Sequence, residues 1–163
     1  MTRRQRLSPD NDGTVMSESQ LRVLLKDLFS SQKLAVLATH GDGQPYSNLV
    51  AFATADDLKH LLFATTRATR KYANIVGDSR VAMLVDNRSN REEDFHSAVA
   101  VTATGKAEEP TDTEKNRYVE IYLGKHPHMR EFLLSPNCAL LKVKVDVYYV
   151  VSRFQNVMEL RPG

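Results

Sequence analysis

Apolar positions along this chain change period several times, and each change marks an element. Ser17 stands three residues before Gln20, a capping-box spacing, and Leu21, Leu24, Leu25, Leu28 and Phe29 then recur at helical intervals, predicting a helix that starts beside Met16. Two short apolar runs follow, Leu34 to Thr39 and Ser47 to Thr54, and the intervening His40-Gly41-Asp42-Gly43-Gln44-Pro45 predicts a β-hairpin turn. Asp56-Asp57 turns the chain into a third strand, Lys59 to Ala64. Tyr72, Ile75 and Val76 then fall on one helical face that stops at Gly77, and Val81 to Val85 predicts a fourth strand. Beyond a polar loop, Asp86 to Asp94, the β-branched residues between His96 and Gly105 predict a fifth. Thr111 and Glu114 repeat the capping-box spacing ahead of a helix with Tyr118, Ile121 and Tyr122 inward and Gly124 at its end. A short segment from Met129 to Leu134 is broken by Ser135-Pro136-Asn137. Ala139 to Val151 then reads as a long strand with Leu141, Val143, Val145 and Tyr149 on alternate positions.

Strands this short, joined in hairpins, would leave long exposed edges in an open sheet. The expected fold is therefore mainly β (α+β): a six- to seven-stranded antiparallel β-barrel, closed or split, with flanking helices that plug its ends. At 163 residues the chain holds one such domain, expected over residues 16–163. Residues 1–15 are polar, contain Pro9 and Gly13 and lack periodicity, and are expected to form a disordered or partner-draped arm.

The densest chemistry lies in His60-Leu61-Leu62-Phe63-Ala64-Thr65-Thr66-Arg67-Ala68-Thr69-Arg70-Lys71, where an apolar strand gives way to hydroxyls and cations just before a helix. A helix start offers unpaired N–H groups and a positive dipole end, threonines offer neutral donors, and Arg70 and Lys71 offer charge. Together these make a phosphate site; a solvated basic turn is the alternative reading of the same residues.

Composition narrows the remaining classes. A formal charge of +2 disfavours broad nucleic-acid binding. No apolar run reaches the roughly 18 residues of a membrane span, so no membrane role is expected and a cytoplasmic location is the default. The single cysteine, Cys138, precedes an apolar strand and is expected to be buried. His126-Pro127-His128 lacks a nearby third ligand for a metal. No nucleophile triad, Walker loop or dinucleotide glycine fingerprint is present, so catalytic residues are not assigned and chemistry would rest on a cofactor.

The stretch from Leu34 to Val85 resembles the flavin-binding split barrel of the pyridoxamine 5'-phosphate oxidase-like superfamily. The likeness is carried in order by Gly43-Gln44-Pro45-Tyr46-Ser47-Asn48-Leu49-Val50-Ala51-Phe52, Leu61-Leu62-Phe63-Ala64-Thr65, Thr69-Arg70-Lys71 and Arg80-Val81-Ala82-Met83-Leu84-Val85, and more loosely by Thr102 to Glu108 and Tyr148-Tyr149-Val150-Val151. The resemblance implies FMN as cofactor and a homodimer in which both chains contact each flavin, with Arg153-Phe154 closing over the partner's site. It implies that Arg70 and Lys71 grip the phosphate, that Thr65, Thr66 or Thr69 beside Ala64 donate hydroxyl hydrogen bonds, and that the backbone of Asn48, Leu49, Val50 and Ala51 meets the isoalloxazine. An oxidoreductase acting by flavin hydride or electron transfer follows, with NAD(P)H or another small molecule as reductant. A noncatalytic flavin carrier, or a related haem-degrading or deazaflavin-dependent enzyme, is the alternative. The chain departs from the family's namesake at three places: Asn48 stands where that enzyme has arginine, Ala100 near where it has glutamine, and its C-terminal Arg-x-His-Asp-Arg motif is missing. The namesake's vitamin B6 activity is therefore not expected.

Overall fold

Alternation of inward and outward side chains builds the sheet. Along β1 (Leu34–Gly41), Ala35, Leu37 and Thr39 are buried while Val36 and Ala38 are half-exposed, and Val81, Met83 and Val85 repeat the pattern in β4 (Arg80–Asp86). The computed structural model describes residues 16–55, 57–153 and 156–163. With β2 (Gln44–Thr54), β3 (His60–Thr66), β5 (Val99–Glu108), β6 (Cys138–Ser152) and β7 (Asn156–Leu160), the strands form one antiparallel sheet in the order β3-β2-β1-β4-β5-β6-β7. β3 also pairs with β6, from His60 opposite Lys144 to Thr66 opposite Cys138, so six strands close a barrel and β7 extends it. One edge of β6 thus carries β3 along its first half and β7 along its second, while the other edge carries β5. The expected split barrel is the fold observed. The β1–β2 hairpin turns on Asp42 and Gly43, both at positive φ (51° and 76°), as a two-residue turn of the strand-matching hand requires.

Helices close both ends. In α1 (Glu18–Ser31) the capping box is complete, with the Gln20 N–H donating to Ser17 Oγ at 3.2 Å and the Ser17 N–H to Gln20 Oε1 at 2.8 Å. Its last turn drives Phe29 edge-on against Phe52, ring centroids 5.8 Å apart, and against Tyr148. α2 (Arg70–Gly77) closes the opposite end, burying Ile75 and donating from Asn74 Nδ2 to Thr39 Oγ1 at 3.0 Å. A Cβ at Gly41 would collide with the Asn74 carboxamide, so the glycine makes room for this docking. α4 (Asp112–Lys125) and α5 (Arg130–Leu133) do not plug an end. They lie on the outer wall, where Tyr118, Tyr122, Leu123 and Leu133 pack with Ala53, Leu62 and Leu140 in a second core.

Several expectations are corrected. β5 starts at Val99 rather than His96, because the Asp94 carboxylate accepts from the N–H groups of Ser89, Asn90 and Arg91 and folds the loop into a short helical turn, α3 (Asp94–Ser97). Val76 is exposed rather than packed beside Ile75, and α4 runs through Gly124 to Lys125. In β6 the alternation inverts at a bulge: Gly105 pairs with Val145 but Thr104 with Val147, leaving Asp146 as the extra residue. Tyr148 and Val150 therefore point inward and Tyr149 outward. β7, not foreseen, buries Met158 and Leu160 on alternate positions. Cys138 is buried as expected. The N-terminal arm, the turn at Asp56 and the closing role given to Phe154 fall outside the described residues. Among the described residues, no helix is long and apolar enough to cross a membrane.

Candidate functional site

The barrel splits between β2 and β3. Their ladder has three pairs, Phe52–Phe63, Ala53–Leu62 and Thr54–Leu61; toward its start β2 stays on β1 and β3 stays on β6. The Phe52 N–H donates to the Lys33 carbonyl at 3.2 Å, on the β1 side. By strand alternation, the backbone groups of Leu49 and the Ala51 N–H face the split, while the Ala51 carbonyl stands at the end of the β2–β3 ladder. The Ala51 carbonyl accepts a hydrogen bond from the Tyr122 hydroxyl, 3.3 Å away.

Asn48 and Val50 share the inward face of β2, opposite Leu37 and Ala35. Val50 is core. Asn48 Oδ1 is shielded from solvent and has no hydrogen-bond partner among the described residues, a buried acceptor left unpaired. Leu49 points outward, 63% exposed.

On the other bank, Ala64 packs against the second core and Thr65 is buried. The Thr65 and Thr69 hydroxyls lie 2.9 Å apart and bond the Thr66 carbonyl at 3.2 and 3.0 Å, while Thr69 Oγ1 caps α2 by accepting the Tyr72 N–H. These two hydroxyls shape the turn. The half-exposed Thr66 hydroxyl has no partner among the described residues and remains available to a ligand.

The three cations of the turn separate by environment. Arg67 is held by Glu109 at 2.8 Å and by the Cys138 and Pro136 carbonyls at 2.9 and 3.3 Å, with the Tyr72 hydroxyl also on Glu109. Arg70 lies over the Tyr46 ring, 5.5 Å from its centroid, and meets no carboxylate among the described residues. Lys71 makes no hydrogen bond or ion pair among those residues, and burial lowers its pKa. The N–H groups of Arg70 and Lys71 open α2 and lack intrahelical acceptors.

Two uncompensated cations, two open N–H groups and a free hydroxyl therefore converge at one helix start, which fits a phosphate monoester. The unpaired Asn48 acceptor and the open β2 edge run from it along the split. That run fits a molecule with a phosphate, a hydroxylated chain and a planar ring carrying its own donors and acceptors. Sequence reasoning located these residues but missed Tyr46, Glu109 and the Tyr122 hydroxyl, whose partners lie far away in the chain.

His126 is a core residue, its Nε2 2.7 Å from the Phe52 carbonyl, and burial lowers its pKa. Away from the split, the outer faces of β1, β4 and β5 are covered among the described residues only at one end, by the short α3 and its loop. Val36, Ala38, Ala82, Leu84 and Ala100 are half-exposed there, and a cavity of about 570 Å³ lined by Leu84, Phe95, Val99, Ala100 and Val151 opens beneath the 87–98 loop. It lies at the barrel end opposite Arg70 and Lys71.

Residues 23–152 match the family model described as pyridoxamine 5'-phosphate oxidase, and the chain belongs to that superfamily. Solved structures share the fold. A heme-binding protein from Mycobacterium smegmatis superposes with a TM-score of 0.78 at 15% identity, over 91% of this chain; the chain spans 60% of that protein's length. General Stress Protein 26 from Bacillus anthracis str. Sterne gives 0.64 at 24% identity, over 86% of this chain and 98% of that one. An FAD-binding protein from Mesorhizobium loti gives 0.63 at 18% identity, over 78% and 90%. No curated protein sequence matches.

Proposed function

We propose that this protein is a homodimeric FMN-binding oxidoreductase. The observation that carries the reading is the open β2 edge ending at Arg70 and Lys71, neither of which is paired with a carboxylate among the described residues. Arg70, Lys71, Thr66 and the α2 N–H groups hold the phosphate, Asn48 Oδ1 accepts from a ribityl hydroxyl, and the Leu49–Ala51 backbone meets the ring. Bound FMN supplies hydride or electron transfer, with NAD(P)H or another small molecule as reductant. The largely uncovered faces of β1, β4 and β5 receive a second copy of the chain, which shields the flavin from water.

Titration with FMN, riboflavin, FAD and haem tests the reading. FMN is expected to bind and, at 100 times its Kd, to stabilise the fold by roughly 2.7 kcal/mol in thermal melts; riboflavin, without the phosphate, binds far more weakly. Air-dependent NAD(P)H oxidation by the loaded protein separates an enzyme from a carrier. A protein that takes up haem and no flavin overturns the proposal.

A further inference from the structure

Arg70 and Asn74 stand four residues apart and so share one face of α2. Thr39 and Tyr46 stand opposite each other in the β1–β2 ladder and so share one face of that hairpin. The two faces meet at two points: Asn74 Nδ2 donates to Thr39 Oγ1 at 3.0 Å, and the Arg70 guanidinium lies over the Tyr46 ring, 5.5 Å from its centroid. The first contact seats the body of the helix. The second reaches the helix start, where Arg70, Lys71, the Thr66 hydroxyl and the open N–H groups converge. Tyr46 is 36% exposed and its hydroxyl makes no hydrogen bond among the described residues, so what it offers Arg70 is the face of its ring.

An anion-binding arginine has two opposed needs. It must be ordered, because an unrestrained side chain gives up rotamer entropy on binding, and its charge must stay uncompensated. A carboxylate orders a guanidinium but neutralises it, as Glu109 does for Arg67 at 2.8 Å. An aromatic face meets both needs: its quadrupole attracts a guanidinium placed over it and brings no counter-charge. We propose that Tyr46 is the positioning residue of the phosphate site, ordering the Arg70 guanidinium beside the α2 N–H groups while leaving its charge to the ligand. This deepens the flavin reading above and rests on it. The β1–β2 hairpin then acts on phosphate affinity from outside the segment that carries the cations.

Affinities for FMN and riboflavin, measured by fluorescence titration on the full chain, test this. Their ratio reports the phosphate site, whereas a loss of fold stability alone lowers both affinities together. Tyr46→Leu keeps an apolar side chain without the quadrupole and is expected to lower the FMN-to-riboflavin ratio about three- to fivefold. Tyr46→Phe restores the ring face and is expected to restore the parent's ratio. Tyr46→Glu sets a carboxylate against Arg70 and is expected to lower the ratio at least about tenfold; this arm holds even if Tyr46→Leu does not fold. In an Arg70→Ala background Tyr46→Leu is expected to change the ratio no further, because the ring acts through that guanidinium. A parental ratio in folded Tyr46→Leu or Tyr46→Glu overturns the role of Tyr46 and leaves the flavin reading standing. So does a Tyr46→Leu effect of equal size with and without Arg70, or a loss in Tyr46→Phe equal to that in Tyr46→Leu. A protein that binds no flavin overturns the reading and this inference together.

Discussion

The Arg67 guanidinium donates to the Glu109 carboxylate at 2.8 Å and, with a second nitrogen, to the Cys138 carbonyl at 2.9 Å, tying the end of β3 to the start of β6. Of the three cations in the phosphate-like turn, it is the one already neutralised.

Its neighbours should therefore dominate ligand affinity. Arg70→Ala and Lys71→Ala are each expected to weaken FMN binding by about 1.5 to 3 kcal/mol, as loss of a charge-assisted hydrogen bond does. Arg67→Ala should cost less affinity and more stability. Fluorescence titration beside urea unfolding checks the contrast; a larger affinity loss in Arg67→Ala would place the phosphate a helical turn away.

Subunit association should fail when the outer sheet face is charged. Leu84→Glu puts a carboxylate among Val36, Ala38, Ala82 and Ala100 on the largely uncovered faces of β1, β4 and β5. Light scattering is expected to show a monomer that has lost flavin as well. A monomer retaining a full complement of FMN contradicts the shared-site reading.

The bulge in β6 depends on Gly105, where a Cβ would collide with the Lys144 carbonyl oxygen and backbone. Gly105→Ala forces main chain to move and is expected to cost about 2 to 3 kcal/mol in chemical denaturation. Stability equal to the parent's would mean the β5–β6 register adjusts freely.

Lys125 should give the fold an alkaline rise in stability. Burial lowers its pKa from 10.5 to about 8, so from about pH 8 to 10.5 the unfolded chain holds a proton that the folded chain has shed. Stability increases with pH wherever the unfolded state binds more protons. Comparison with Lys125→Met between pH 7.5 and 9.5, before tyrosines ionise in the unfolded chain, should show the parent gaining relative to the variant. Parallel profiles would mean the ammonium stays charged against the Phe29 carbonyl.

The elements were legible where their signals are local. Ser17 and Gln20 cap α1 within one turn, and Asp42-Gly43 dictates a hairpin from two residues alone. The Thr69-Arg70-Lys71 helix start could also be located, because the capping threonine and the cations are contiguous. What escaped is non-local. Whether Tyr148 or Tyr149 enters the core depends on how Gly105 meets Lys144 across the sheet, and β7 exists because β6 outlasts β3 and leaves an edge to fill. The division of labour among Arg67, Arg70 and Lys71 depends on Glu109 and Cys138, distant in sequence and adjacent only after closure.

That closure has a consequence for how the molecule is made. The phosphate-like turn and the open edge lie between Asn48 and Lys71 and leave the ribosome early, but the strand that seals them, β6, begins only at Cys138. Pairings between segments so far apart form late and slowly. During synthesis, Phe63 and Leu61 wait with a row of unpaired backbone groups beside them, vulnerable to the wrong neighbour. A chain cut short of β6 would carry the whole stretch from Asn48 to Lys71 while lacking the wall that holds it in place.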